Sequence, residues 1–152
     1  MHLVQRLKEL PIRTRKILAG ALLCLVALLI YPFQTTVVPM WNLRVVDEQG
    51  ATVPGINVTQ HWQHNSLEPD GHEELQKTNG EGQVVFPDRT IRASLVSRTV
   101  APALKLLREG TGAKLGAYAS VVAWGSKANE TNVSIYTDGV APPAQIVVVR
   151  VK

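Results

Sequence analysis

The chain is poor in groups that do covalent chemistry. Its single cysteine, Cys24, lies in an apolar run near the N-terminus, so residues 42–152 have no disulfide staple and no thiol nucleophile. Stability there has to come from packing. A G-x-S-x-G elbow is missing, and Ser94, Ser97, Ser120, Ser126 and Ser134 lack the His and Asp context of a triad. The GEG and GTG stretches are too short to be phosphate loops. Glu73 and Glu74 are adjacent, so on a strand they face opposite ways and make no acid–base pair. These absences point away from an enzyme, and no cofactor is implied.

Charge is missing from one long stretch, because nothing charged occurs in residues 17–41. Residues 17–33 read ILAGALLCLVALLIYPF. As a helix they would be about 25 Å long, slightly short of a hydrocarbon core of roughly 30 Å. Snorkelling by Arg15 and Lys16, with Tyr31 and Trp41 at the far interface, would make up the difference. Pro32 ends or kinks the helix. The following YPFQTTVVPMW offers no small-residue cleavage pair, and Cys24 follows Leu22 and Leu23 rather than a small residue, as a lipoprotein cysteine would. An uncleaved signal anchor is the expectation, with cleavage as the alternative.

Before that run, Arg6, Lys8, Arg13, Arg15 and Lys16 face Glu9 alone. This bias places the N-terminus in the cytoplasm. The expected plan is a basic cytoplasmic tail (1–16), a single-pass transmembrane helix in the cytoplasmic (inner) membrane (17–33), a linker (34–41) and an exported domain (42–152). The formal charge of +4 lies wholly in the tail, since from residue 42 onward eleven Lys and Arg balance eleven Asp and Glu. The domain therefore has no overall basic footprint, which argues against nucleic acid as a partner.

From residue 42 short apolar alternations are separated by Gly, Pro, Asn and Asp, the pattern of an all-β fold. Strands are expected at 43–47, 56–62, 72–78, 83–86, 90–97, 116–124, 132–137 and 145–151. On the second, Ile56, Val58 and Trp62 alternate with Asn57, Thr59 and His61, which puts Trp62 in the core. Asn79-Gly80 signals a type I′ hairpin joining 72–78 to 83–86. Thr99, Pro102 and Gly110 delimit one short helix, either a crossover between sheets or a partner-binding ridge. The sequons at Asn57, Asn129 and Asn132 would be acceptors in a eukaryotic secretory pathway, and otherwise read as ordinary turn and strand asparagines.

Three stretches carry a resemblance: Asp47-Glu48-Gln49-Gly50, residues 53–58 (VPGINV) and residues 78–86 (TNGEGQVVF). They resemble the carboxypeptidase regulatory-like domains, within the transthyretin-like and Cna-B-like β-sandwiches. The match covers residues 42–90; it departs in Thr52-Val53-Pro54, where Pro-Val is usual, and in Asn79, where Asp is usual. It implies a seven- to eight-stranded Ig/transthyretin-like sandwich with one short helix, preceded by the transmembrane helix. It also implies binding or scaffolding rather than catalysis, and no catalytic residue carries over.

The stretch HWQHNSLEPDGHEEL, residues 61–75, holds three of the four histidines. A hairpin bringing His61, His64, His72 and Glu74 together would make a metal site, but the spacing matches no established zinc or calcium signature. A solvated loop with pH-sensitive histidines is the expectation. The interaction surface it suggests is His61, His64, Glu68 and Asp70 with Leu104 and Leu107 of the helix. The resulting reading is a membrane-anchored, non-catalytic domain that binds a protein partner in the cell envelope. The alternative is an exported metal-binding module or metal-dependent enzyme built on the histidine loop.

Overall fold

The computed structural model describes residues 11–125, 128–131 and 133–150. Helix α1 (Ile12–Ile30) comes first, and none of its residues is buried against the rest of the chain. Tyr31 ends it in an extended conformation (φ −62°, ψ 130°), and its N–H closes the last turn on the Ala27 carbonyl at 3.0 Å. Pro32 causes this, because it disfavours helical backbone at the residue before it.

The expected transmembrane helix is not borne out: no described helix is long and apolar enough to cross a membrane. Two things shorten it. Residues 31–33 leave the helix, and Arg13, Arg15 and Lys16 lie inside its first turns. The uncharged part, residues 17–30, is only about 21 Å long.

Among the described residues ten strands follow, in sheets of two, four and four. The small sheet pairs β1 (Phe33–Val38) antiparallel with β6 (Arg89–Ala93). Residues 34–41, read from the sequence as a linker, are thus part of the fold, and Val37, Val38 and Trp41 are buried. The polar trio Gln34-Thr35-Thr36 had masked the strand.

The second sheet has the order β5 (Gln83–Phe86), β2 (Trp41–Asp47), β10 (Gln145–Arg150), β8 (Ala128–Thr131). Strand β10 runs parallel to β2, starting at Gln145 beside Arg44. The third sheet is wholly antiparallel, in the order β4 (His72–Lys77), β3 (Asn57–His64), β7 (Ala117–Trp124), β9 (Ser134–Thr137). Leu43, Val45, Val84, Phe86 and Ile146 of the second sheet form one core with Val58, Ala119, Val121, Ala123 and Tyr136 of the third.

Between β6 and β7 lies helix α2 (Leu95–Glu109), followed by a 3-10 turn at Gly110–Gly112. The helix starts five residues earlier than expected because Ser94, not Thr99, caps it: the Ser94 hydroxyl accepts the Ser97 N–H at 3.1 Å. The expected strand 90–97 therefore stops at Ala93. The all-β sandwich expectation is overturned. The architecture is mixed α/β, with two helices and three small sheets.

The Asn79-Gly80 turn also differs. Strand β4 belongs to the third sheet and β5 to the second, so residues 78–82 form a corner between sheets rather than a hairpin. No non-glycine residue has positive φ among the described residues, which rules out type I′ at Asn79. Instead the Asn79 side-chain oxygen accepts the N–H groups of Glu81 (3.0 Å) and Gln83 (2.9 Å). The left-handed position is Gly82 (φ 73°), where a Cβ would lie 3.0 Å from both the Val45 carbonyl and the Val53 nitrogen. Only glycine lets the corner close onto β2. Thr78 completes the joint, donating to the Val53 carbonyl (2.9 Å) and accepting the Ile56 N–H (3.0 Å).

Candidate functional site

Strands β3 and β4 form a hairpin in which Gln60 faces Glu74, His61 faces Glu73 and Trp62 faces His72. Strand parity then sorts the side chains. Gln60, Trp62, His72 and Glu74 share the face that continues from the buried Val58. His61 and Glu73 lie on the other face, with His61 Nδ1 3.6 Å from a Glu73 oxygen and both side chains exposed.

Gln60 is wholly buried at a position where the alternation would place an apolar residue. Its oxygen accepts from Arg89 Nε at 2.9 Å. Arg89 Nη2 donates to Glu74 Oε2 at 2.5 Å, and the guanidinium carbon lies 4.1 Å from the centre of the Trp62 ring. The Trp62 ring is stacked on the His72 ring, with centroids 5.4 Å apart. Trp62 is therefore not a full member of the core, as the sequence reading had it; it packs against the core's edge and turns its ring to a cation and an imidazole.

Glu74 is the centre of this network. The Gln76 side chain donates to its other oxygen at 2.6 Å. That hydrogen bond, opposed by desolvation and supported by the Arg89 bond and charge, holds the Glu74 carboxyl below the ordinary value of 4.5. The result is a clamp: Arg89 ties β6, and with it the small sheet, to the β3–β4 hairpin. Beside it an open groove of about 480 Å³ is lined by Trp62, Glu68, His72, Asp88, Arg89 and Arg92, among others.

The hairpin tip is held separately. Glu68 accepts the His64 N–H at 2.7 Å and lies 3.0 Å from His72 Nε2. The Gln63 amide donates to the Glu68 carbonyl at 3.1 Å. Lys105 of α2 reaches across to the Asn65 carbonyl at 2.5 Å.

The proposed metal ligands do not converge. His61 is on the opposite face from His72 and Glu74, the Glu74 oxygens are committed to Arg89 and Gln76, and Glu68 lies between His64 and His72. Among the described residues no three His, Cys, Asp or Glu side chains are placed to hold a metal ion. The proposed interaction surface is only partly assembled. Glu68 and Leu104 line one recess of about 300 Å³ between the 65–69 turn and α2. Leu107 projects outward at 82% exposure, Asp70 is exposed at the turn, and His61 lies across the sheet. His64 is half-buried, with Nδ1 enclosed and unpartnered.

Sequence reasoning missed Gln60, Arg89 and the role of Trp62. Carrying the alternation 56, 58, 60, 62 through Gln60 would have flagged a polar side chain at a core position. Nothing local to Arg89 marks it, because its partners are 15 and 29 residues away. Fold and clamp together define a strand-rich α/β domain without a recognisable reaction centre among the described residues. No family model, curated protein or solved structure matches the chain.

Proposed function

We propose that the chain is a membrane-attached protein of the cell envelope, held to lipid by α1, whose strand-rich domain has a non-catalytic structural or protein-interaction role. One observation carries this reading. In α1, Ile17, Leu18, Leu22, Leu23, Leu25, Val26, Leu28, Leu29 and Ile30 are all exposed, and they point to every side of the helix. Taking one such side chain out of water is worth roughly 1.5–3 kcal/mol. Their sum rivals the roughly 5–15 kcal/mol that holds a whole domain together. The fold supplies no cover, so a lipid phase is the environment that fits, with Arg13, Arg15 and Lys16 at the level of the headgroups.

The non-catalytic role is supported by the use made of the polar residues. Arg89, Glu74, Gln76 and the Gln60 oxygen are spent on one another, and among the described residues no nucleophile–base pair accompanies them. The resemblance of residues 42–90 to carboxypeptidase regulatory-like domains points the same way. Its residues are joint-makers: Asp47 Oδ1 accepts from Gln49 and Ala51, Thr78 fixes the 53–56 turn, and Gly82 closes the corner.

Flotation of the full chain with lipid vesicles is the direct test. Co-migration with lipid is expected. Recovery in the soluble fraction would remove the membrane reading. A phosphatase reporter at the C-terminus is expected to be active in cells, and a silent one would remove the envelope placement.

A further inference from the structure

The neutral balance of residues 42–152 conceals a strong internal separation of charge. Residues 89–114 contain Arg89, Arg92, Arg98, Lys105, Arg108 and Lys114 against Glu109 alone: six cations less one anion, or +5. The remainder of that region has five cations and ten anions, or −5. The positive segment is α2 with its flanks.

Helix α2 is packed the wrong way round for a soluble protein. Its half-buried residues are Arg98, Ala101, Pro102 and Lys105, a set that falls on one helical face. Arg98 is fixed there by hydrogen bonds to the carbonyls of Ala93 (3.1 Å) and Phe33 (2.8 Å), and Lys105 by the Asn65 carbonyl. On the opposite face Val96, Val100, Ala103 and Leu107 recur at four- and three-residue spacings, and all are exposed. Leu107 is the extreme, at 82%, and Leu104 widens the stripe at 47%. An amphipathic helix ordinarily turns its apolar stripe to the core. This one turns two cations and a proline to the domain and presents its apolar stripe outward.

We propose that α2 lies along an anionic bilayer surface, with the Val96–Val100–Ala103–Leu107 stripe in the headgroup–acyl boundary. Two further observations select lipid as the occupant. The cations not used for packing, Arg92, Arg108 and Lys114, are exposed on α2 and its flanks, within the segment of net charge +5, which complements anionic headgroups. Helix α2 also touches α1, and the Phe33 carbonyl that Arg98 binds is three residues past the end of α1. Wherever lipid covers α1, the first turns of α2 lie at its rim. The inference rests on the lipid-covered α1 proposed above and adds a second membrane contact, one that fixes how the domain is oriented on the surface.

The test uses the full chain with Cys24→Ser and single environment-sensitive labels at L107C, L23C and E81C, reconstituted in phosphatidylcholine with or without phosphatidylglycerol. The label at position 107 is expected to shift blue and to be quenched by shallow nitroxide lipids when phosphatidylglycerol is present, and several-fold less in phosphatidylcholine alone. The label at position 81 should remain as in water. Combined Arg108→Glu and Lys114→Glu should abolish the dependence on anionic lipid with unchanged far-UV circular dichroism. Water-like behaviour at 107 with lipid burial at 23 overturns this inference and leaves the membrane reading standing. Water-like behaviour at both positions overturns both. A shift at 107 that follows the protein-to-lipid ratio rather than lipid charge assigns the stripe to a second copy and also overturns it.

Discussion

The strands and the helices of this protein solve opposite problems. In the strands, Val38, Val45, Val58, Phe86, Ala119, Val121 and Ala123 have no measurable exposure, whereas no residue of either helix is buried. The apolar side chains of α1 and α2 therefore contribute little to holding the domain together. The contrast teaches that hydrophobicity in this chain has two placements, the shared core of the two larger sheets and the exposed faces of the helices.

The sharpest break in that contrast would come from the core. Phe86→Ala removes a wholly buried ring and is expected to cost about 3–5 kcal/mol in denaturant unfolding of the full chain in mild detergent. Leu23→Ala in α1 should change the same measurement by less than about 0.5 kcal/mol. Equal losses would mean that α1 is packed into the domain after all. Next in size is Gly82→Ala, for which positive φ and close backbone atoms together predict a loss of about 2–4 kcal/mol. Gly80→Ala, whose added methyl would meet nothing within 4 Å, is the near-neutral control two residues away.

The clamp is the intermediate case, a polar joint inside the strand region. Arg89→Met leaves the Gln60 amide and the Glu74 carboxylate without their guanidinium partner, and a loss of about 1–3 kcal/mol is expected. Arg92→Met, at an exposed position on the same strand, should be close to neutral. Acid adds a direction. The folded-state pKa of Glu74 is depressed, so its contribution is present above the ordinary value of 4.5 and is lost as pH falls through the folded value. Below pH 4.5 the wild type should therefore lose stability more steeply than Glu74→Gln, by a small margin because Glu74 is 34% exposed. Parallel pH profiles would show that Glu74 contributes nothing.

These cases also show what could be read from the sequence and what could not. The inward Leu43 and Val45, and Val84 and Phe86, were legible because strand parity is local; Asn79-Gly80 was legible as a turn, but not as a corner between two sheets. Strand β1 was not, since its three polar residues hide the buried Val37 and Val38 at its end. The start of α2 was misplaced because Leu95-Val96 reads equally well as strand, and the Ser94 cap decides the matter. The inward position of Gln60 was visible by counting, but the Arg89 that binds its oxygen was not, because a cation's partner across sheets leaves no trace in spacing. The inverted packing of α2 was hidden for the same reason: periodicity reveals that a helix has an apolar face, not which way the face is turned.

The smallest expected effect tests that last point most directly. Leu107→Ala removes a large side chain at 82% exposure and replaces it with the best helix former. In a soluble-type fold with α2 packed by its leucines, losing this side chain would cost about 2–5 kcal/mol. With the stripe turned outward, the unfolding midpoint should move by no more than the equivalent of about 0.5 kcal/mol in either direction. Lys105→Ala, on the packed face, should do more than Leu107→Ala despite being the polar residue, because it removes the bond to the Asn65 carbonyl that ties α2 to the hairpin tip. A reversal of that order would mean that the helix is seated by its apolar face, and the distinction between a strand core and outward-facing helices would fail at α2.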